Sequence, residues 1–185
     1  MNVYFTASTA NLERDQAKYQ KIIHCLESAG HHVSESWLLE KITNKLSKLT
    51  SREILLKNIQ LLQESDFVVL ELSTPSLGVG YCIGQAIANY RKILCLYPQG
   101  IDKNEISEIV TGSTSALLTY CAYDQDNLEQ VIRDYIAGLN MDNLRKFNFI
   151  ANEQIIQYIA DGALKEGKSK SEFLRDKILK EFIHK

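Results

Sequence analysis

The stretch Glu71-Leu-Ser-Thr-Pro-Ser-Leu-Gly-Val-Gly-Tyr-Cys-Ile-Gly84 lies between an apolar run and a helix-like segment. The run before it, Asp66-Phe-Val-Val-Leu70, has the character of a buried strand, and Gln85-Ala-Ile-Ala-Asn-Tyr90 after it continues as a helix. A buried strand, a loop of Gly, Ser and Pro, and a helix start form the arrangement that holds phosphate or sugar groups in α/β proteins. The stretch therefore predicts both a fold class and the place of a ligand site.

Strand-like and helix-like segments alternate on both sides of this stretch, over residues 1–139. Such alternation predicts an α/β domain with a mostly parallel, Rossmann-like sheet and helices on both faces. The strands are expected at residues 2–6, 32–36, 66–72, 92–97 and 117–122. The helices are expected at residues 15–28, 51–63, 79–90 and 128–137.

Composition limits the classes of function. The chain has 185 residues, 45% of them hydrophobic, and a net charge of −2, so no overall field attracts nucleic acid or membrane. No apolar run approaches the roughly 18 residues of a transmembrane helix. The four cysteines are widely spaced, which favours reduced thiols in a cytoplasmic protein. Neither they nor the four histidines have metal-ligand spacing, so we expect no metal and no cofactor.

The block Pro75-Ser-Leu-Gly-Val-Gly-Tyr81, with its flanking strands, resembles the signature of the 2′-deoxynucleoside 5′-monophosphate N-glycosidases, relatives of the nucleoside 2-deoxyribosyltransferases. The resemblance covers roughly residues 1–139. It implies two catalytic positions, a glutamate nucleophile where this chain has Cys82 and an aspartate where it has Asn58. Asparagine cannot supply a carboxylate's proton. The resemblance therefore implies a ligand site that has lost both acidic groups.

Other positions of the same resemblance are retained. They imply ligand contacts from the first strand, the loop after it, the Gly/Ser/Pro stretch and a neighbouring subunit's serine, at Tyr4, Ser8, Ser76, Gly78, Gly80 and Ser107. Two basic positions are changed, because Ala10 stands for an arginine and Ser36 for a histidine. Loss of the arginine removes a bidentate phosphate clamp, about 1.5–3 kcal/mol of charged hydrogen bonding.

An active enzyme with a substitute group is the alternative. Cys82 would attack as a thiolate near a helix N-terminus, or Glu71 would supply the missing carboxylate. Glu71 also fits the family's own pattern at its position, which favours a structural role. In the competing interpretation Cys82 is a small apolar side chain that fills space in the core, and Asn58 is an ordinary exposed helix residue.

Residues 145–185 have a different pattern: a short strand over 146–151, a helix from Asn152, a turn at Gly167, and a last helix that opens with the capping box Ser169-Lys-Ser-Glu172. This segment resembles the ribbon-helix-helix family of dimeric DNA-binding modules. The resemblance implies base contacts from outward strand residues and a phosphate contact at the start of the last helix. These residues are Lys146, Asn148, Ile150, Ser169, Lys170 and Ser171. A dimerisation module that does not bind DNA is the alternative.

Together these patterns predict a non-catalytic, sensor-like nucleotide-binding relative of the N-glycosidases, fused to a module that dimerises and contacts DNA. The expected partners are a nucleotide-like small molecule, DNA, and further copies of the chain in a homodimer or higher homo-oligomer. The alternatives are an active N-glycosidase or deoxyribosyltransferase, and an oligomeric scaffold with neither activity.

Overall fold

The chain forms two compact units, Met1–Lys146 and Phe147–Lys185. The computed structural model describes all residues except 44, 46–47, 103–105, 107–111, 114, 140–148 and 184–185, and it gives only the backbone of residues 182–183. Among the described helices, none combines the length and the apolar character that crossing a membrane requires.

The first unit contains a five-stranded sheet whose neighbouring strands are all parallel. This confirms the predicted α/β class. The central strands carry the continuous apolar runs typical of parallel strands that are buried on both faces. The strands are β1 (Asn2–Ala7), β2 (His32–Val33), β3 (Phe67–Glu71), β4 (Lys92–Pro98) and β5 (Leu118–Tyr123). Their order in the sheet is β2-β1-β3-β4-β5.

Helices cover both faces of the sheet. On one face Phe67 and Val69 of β3 pack in a core with α1 (Leu12–Ser28), α2 (Trp37–Ile42) and α5 (Leu128–Ala137). On the other face Val68 and Leu70 pack with α3 (Ser51–Glu64) and α4 (Leu77–Ala88). The alternation of side chains along β3 thus assigns each of its residues to one of two cores.

The structure differs from the prediction after β1. The second strand ends at Val33 instead of residue 36, and the short helix α2 follows, which the sequence pattern did not predict. Ser36 is the N-cap of α2: its hydroxyl accepts from the amide of Leu39 at 3.4 Å and donates to the carbonyl of Phe5 at 3.1 Å. A helix of six residues is too short for an apolar period to reveal it.

The second unit is a helical hairpin of α6 (Glu153–Glu166) and α7 (Lys170–Ile183). The predicted N-cap is confirmed, because the Asn152 side chain accepts from the amide of Ile155 at 3.0 Å. The predicted left-handed glycine is also confirmed, with φ 62° at Gly167. Ser169 and Glu172 exchange the two hydrogen bonds of the predicted capping box, at 2.9 and 3.2 Å.

Only the last three residues of the strand predicted over residues 146–151 belong to the described part of the chain. Residues 149–151 lie in no helix or strand, and residues 146–148 are outside the described part of the chain. Ile178 of α7 is 57% exposed in the single chain. The core of the hairpin is small, with Ile159, Ala163 and Phe173 buried and Leu174 packed against them.

Candidate functional site

Three of the predicted site residues meet on the α3/α4 face of the sheet. Tyr4 comes from β1, Asn58 from α3 and Cys82 from α4. The Tyr4 hydroxyl donates to Oδ1 of Asn58 at 3.2 Å and lies 3.9 Å from Sγ of Cys82. The structure therefore brings together the two positions where the family resemblance implies catalytic acids.

The Asn58 amide is held by three hydrogen bonds. Its Oδ1 accepts from the Tyr4 hydroxyl and from the amide of Trp37 at 3.1 Å, and its Nδ2 donates to the carbonyl of Ile54 at 2.7 Å. The side-chain oxygen of Asn58 thus accepts two hydrogen bonds, and its side-chain nitrogen is oriented toward Ile54. Asn58 joins α3 to β1 and α2. Its amide group has no acidic proton to give to a departing base.

The other two members of the cluster are also uncharged at neutral pH. Burial raises the pKa of the Cys82 thiol, and the hydrogen bond between Cys82 and Tyr4 only partly offsets this rise. Burial, together with the neighbouring Cys82, also raises the pKa of the Tyr4 hydroxyl. A thiol needs a lowered pKa to act as a nucleophile near pH 7. The surroundings of Cys82 shift its pKa in the opposite direction.

The loop of residues 72–76, which we call the signature loop, leads from β3 into α4. Ser76 ends it as the N-cap of α4, since its Oγ accepts from the amide of Val79 at 3.4 Å. The hydroxyl proton of Ser76 and the first amides of the helix are then available to an anionic group. A cavity of about 660 Å³ opens beside the loop. The described residues that line it include no acidic or basic side chain; they are Leu72, Thr74, Pro75, Ser76, Leu77, Val79, Gly80, Tyr81, Ile83 and Ile106.

The remaining predicted ligand residues are placed differently. Ser8 is buried, and its hydroxyl accepts from the amide of Ala10 at 3.3 Å. Gly78 and Gly80 are exposed on the first turns of α4; a Cβ at Gly78 would lie 3.6 Å from Oγ of Ser76, an ordinary contact, and a Cβ at Gly80 would meet no atom within 4 Å. Ser107 lies outside the described residues.

Glu71 is not part of the cluster. It follows Phe67 and Val69 in the alternation of β3, so its side chain lies on the α1/α5 face, opposite Tyr4 and Cys82. There its carboxylate accepts from the Tyr123 hydroxyl at 2.9 Å and is fully buried. The suggestion that Glu71 replaces the missing carboxylate is therefore corrected, because the sheet separates it from the other two positions.

The predicted DNA-contacting residues fall in and beside the second unit. Lys146 and Asn148 lie outside the described residues, and Ile150 is fully exposed. Ser169 caps α7, and Lys170 and Ser171 are exposed on its first turn. In the described part of the chain, no group of three His, Cys, Asp or Glu side chains is placed to hold a metal ion.

Sequence reasoning missed Trp37. Its amide completes the hydrogen bonds of Asn58, and the Lys41 ammonium lies 4.0 Å from the centre of its ring. The signal available was weak: Trp37 is the chain's single tryptophan and follows Ser36, one of the changed basic positions.

Comparison with known proteins gives a family and a fold. The family model described as nucleoside 2-deoxyribosyltransferase matches residues 3–143. A 5-hydroxymethyl-dUMP N-hydrolase of Danio rerio is 31% identical over 140 residues, which cover 75% of this chain and 98% of that protein. The human protein of the same description is 31% identical over 137 residues, 72% of this chain and 78% of the other.

Two further similarities agree with this. A putative 2′-deoxynucleoside 5′-phosphate N-hydrolase 1 of Methanosarcina mazei is 33% identical over 124 residues, 65% of this chain and 74% of that protein. The structure of a CMP N-glycosidase of Clostridium botulinum superposes with a TM-score of 0.55 at 19% identity, over 74% of this chain and 99% of that one. At that identity the superposition concerns the fold alone. The family match ends before the helical hairpin.

Proposed function

We propose, on the premise that this chain belongs to the nucleoside 2-deoxyribosyltransferase family, that its first unit binds a nucleotide-like ligand without cleaving the N-glycosidic bond. One observation carries the proposal: the cluster of Tyr4, Asn58 and Cys82 contains no carboxylate and no thiolate. In this proposal the ligand occupies the cavity beside the signature loop, whose lining residues include none of these three.

The chemistry explains why this loss matters. Cleavage of an N-glycosidic bond needs an anionic group to attack or stabilise the anomeric carbon and an acid to protonate the departing base. Cys82 has a raised pKa and Asn58 has no acidic proton, so neither side chain meets its requirement. Each missing acid–base group costs about 10²–10⁴ in rate.

Binding requires less. Ser76 and the first amides of α4 can hold a phosphate or another anionic group, and the apolar wall of the cavity can hold a sugar or a base. Within the proposal Tyr4, Ser8, Gly78 and Gly80 flank the ligand. Ser107 keeps its proposed role in the site of a neighbouring subunit.

We expect deoxynucleoside 5′-monophosphates to raise the melting temperature of the full chain without release of free base. A ligand at 100 times its Kd stabilises a protein by about 2.7 kcal/mol. For a chain of this size, that corresponds to a shift of about 5–10 °C. The measurement is a thermal-shift screen of mono-, di- and triphosphates, with chromatography of each sample for free base.

The matched control for the screen is a pair of cap variants. Ser76→Ala removes a helix cap and a proposed ligand group, whereas Thr50→Ala removes the cap of α3 alone. Both should lower the melting temperature of the free protein, by about 1 kcal/mol in stability. Only Ser76→Ala should reduce the shift on nucleotide addition, and an equal shift in both variants would contradict the placement of the ligand.

An active N-hydrolase is the second candidate. It is favoured by the relatives, since the chain covers 98% of a protein named 5-hydroxymethyl-dUMP N-hydrolase. Release of base by the wild-type chain, abolished in Cys82→Ala, would establish this candidate and overturn the non-catalytic one.

For the second unit we propose dimerisation through paired strands, with DNA as the ligand of the dimer. The support is the amount of apolar surface that the hairpin leaves uncovered around a very small core. A second copy of the hairpin is the partner that the ribbon-helix-helix resemblance implies. The exposed apolar side chains are Phe149, Ile150, Ile155, Ile156, Tyr158, Leu164, Ile178 and Leu179.

We expect the wild-type chain to retard a short DNA duplex at low salt and Ile150→Pro to abolish the retardation. Proline removes the backbone N–H that a paired strand donates, while Ile150→Val keeps it and should bind like the wild type. Binding should weaken steeply with salt, because phosphate contacts release counterions. Equal retardation by both variants would contradict strand pairing. If the wild type retards no DNA at any salt concentration, the second unit is a dimerisation module that does not bind DNA.

A further inference from the structure

A buried network surrounds Glu71 at the end of β3. Its Oε1 accepts from the amide of Ser73 at 3.1 Å, from the Ser73 hydroxyl, and from the Tyr123 hydroxyl at 2.9 Å. Its Oε2 has no hydrogen-bond partner among the described residues but lies 3.4 Å from the Lys18 ammonium, which also donates to the Ser73 hydroxyl. The carboxylate thus joins three elements: the signature loop, α1 and β5.

A second contact ties the same loop to α1. The Thr74 hydroxyl donates to Oδ2 of Asp15 at 3.3 Å, and Arg14 donates to the Thr74 hydroxyl at 3.4 Å. Asp15 is buried, with Arg14 and Lys18 beside it. Ser73 and Thr74, two of the five residues between β3 and α4, are therefore held from the α1 side of the sheet.

The arrangement is costly to build, which argues that it does more than fill space. A fully buried carboxylate needs its charge compensated and its oxygens hydrogen-bonded, and removing one partner leaves an uncompensated group. Here Lys18 supplies the charge, and Tyr123 remains a donor because burial and the nearby Glu71 raise the pKa of its hydroxyl. An apolar residue would fill this position at lower cost.

We propose that Glu71 is a positioning residue: held in place by Lys18 and Tyr123, it fixes the signature loop through Ser73, so that Ser76 and the N-terminus of α4 face the ligand. The functional role of Glu71 rests on the proposed nucleotide site, whereas its hold on the loop does not depend on a ligand. The carboxylate lies behind the loop and acts through it, without touching the ligand or the Tyr4–Asn58–Cys82 cluster.

The test compares hydrogen exchange and ligand affinity in full-chain variants. Tyr123→Phe and Lys18→Met each remove one partner of Glu71. Tyr135→Phe is the matched control, because its hydroxyl is also buried on the α1/α5 face but has no hydrogen-bond partner in the described part of the chain. Exchange of the peptide spanning residues 72–81 is measured without ligand, and the Kd for dUMP is measured at a temperature where every variant is folded.

We expect about tenfold faster exchange of this peptide in both partner variants, the factor associated with losing one hydrogen bond to a charged acceptor. The Kd for dUMP should rise about tenfold as well, while Tyr135→Phe and the conservative Lys18→Arg should resemble the wild type. Unchanged exchange in both partner variants would overturn the proposal, as would faster exchange with an unchanged Kd. If the wild type binds no nucleotide, the proposed function fails, and the exchange alone decides whether Glu71 holds the loop.

Discussion

Base release should appear in a chain that carries Asn58→Asp together with Cys82→Glu. The pair restores a carboxylate and an acid at two positions whose side chains both contact Tyr4. The gain should be at least about 100-fold over the wild type, since a placed acid–base group contributes about 10²–10⁴. The measurement is free base released from deoxynucleoside monophosphates under single-turnover conditions.

The geometry around Asn58 determines the surroundings that an aspartate there would have. One carboxyl oxygen would accept from the Tyr4 hydroxyl and the Trp37 amide, as Oδ1 does now. The other would face the Ile54 carbonyl, which the amide nitrogen contacts at 2.7 Å. Two acceptors at that distance repel each other unless a proton lies between them, and this contact raises the pKa of the carboxyl, whereas the donors Tyr4 and Trp37 lower it.

The control for this gain is Asn58→Asp with Cys82→Gln, which has nearly the shape of the restored site but no carboxylate at position 82. It should bind ligand and release no base. A restored pair that binds nucleotide and stays inert would show that the site has lost more than these two groups. Base release by the wild type would show that the site needs neither of them.

Gly162→Ala should destabilise the helical hairpin by about 1–3 kcal/mol. A Cβ at Gly162 would lie 2.2 Å from Cζ of Phe173, because the ring packs directly against the α6 backbone. The gain in helix propensity, up to about 1 kcal/mol, does not offset such a contact. Hydrogen exchange of the α6 and α7 peptides in the full chain measures the effect.

Two further variants identify the cause. Gly84→Ala places a methyl group in α4, where no atom lies within 4 Å, and should be neutral or slightly stabilising. Adding Phe173→Leu to Gly162→Ala should recover part of the lost protection, since it removes the atoms that the new Cβ meets. Wild-type protection in Gly162→Ala alone would contradict the close packing of the two helices.

Local signals in the sequence were sufficient to place the central strand of the first unit and the helix caps of the second. The apolar run of β3, followed by the Gly/Ser/Pro stretch, identified the central strand and the loop into α4. The caps at Asn152, Gly167 and Ser169 were also correct, because a cap depends on residues within one turn of it. In contrast, α2 was missed, since six residues are too few to show a period.

The sequence by itself determined the order of the strands and of the longer helices along the chain, the loop that begins α4, and the absence of carboxylates at positions 58 and 82. Only the tertiary structure decided which of these residues meet. The pairing of Tyr4 with Val68 places Tyr4 on the α3/α4 face, and the same alternation turns Glu71 toward Lys18 and Tyr123. Register, burial and contacts between distant segments depend on the whole packed sheet. No local pattern could therefore show that Glu71 contacts the loop or that the Cys82 thiol is neutral.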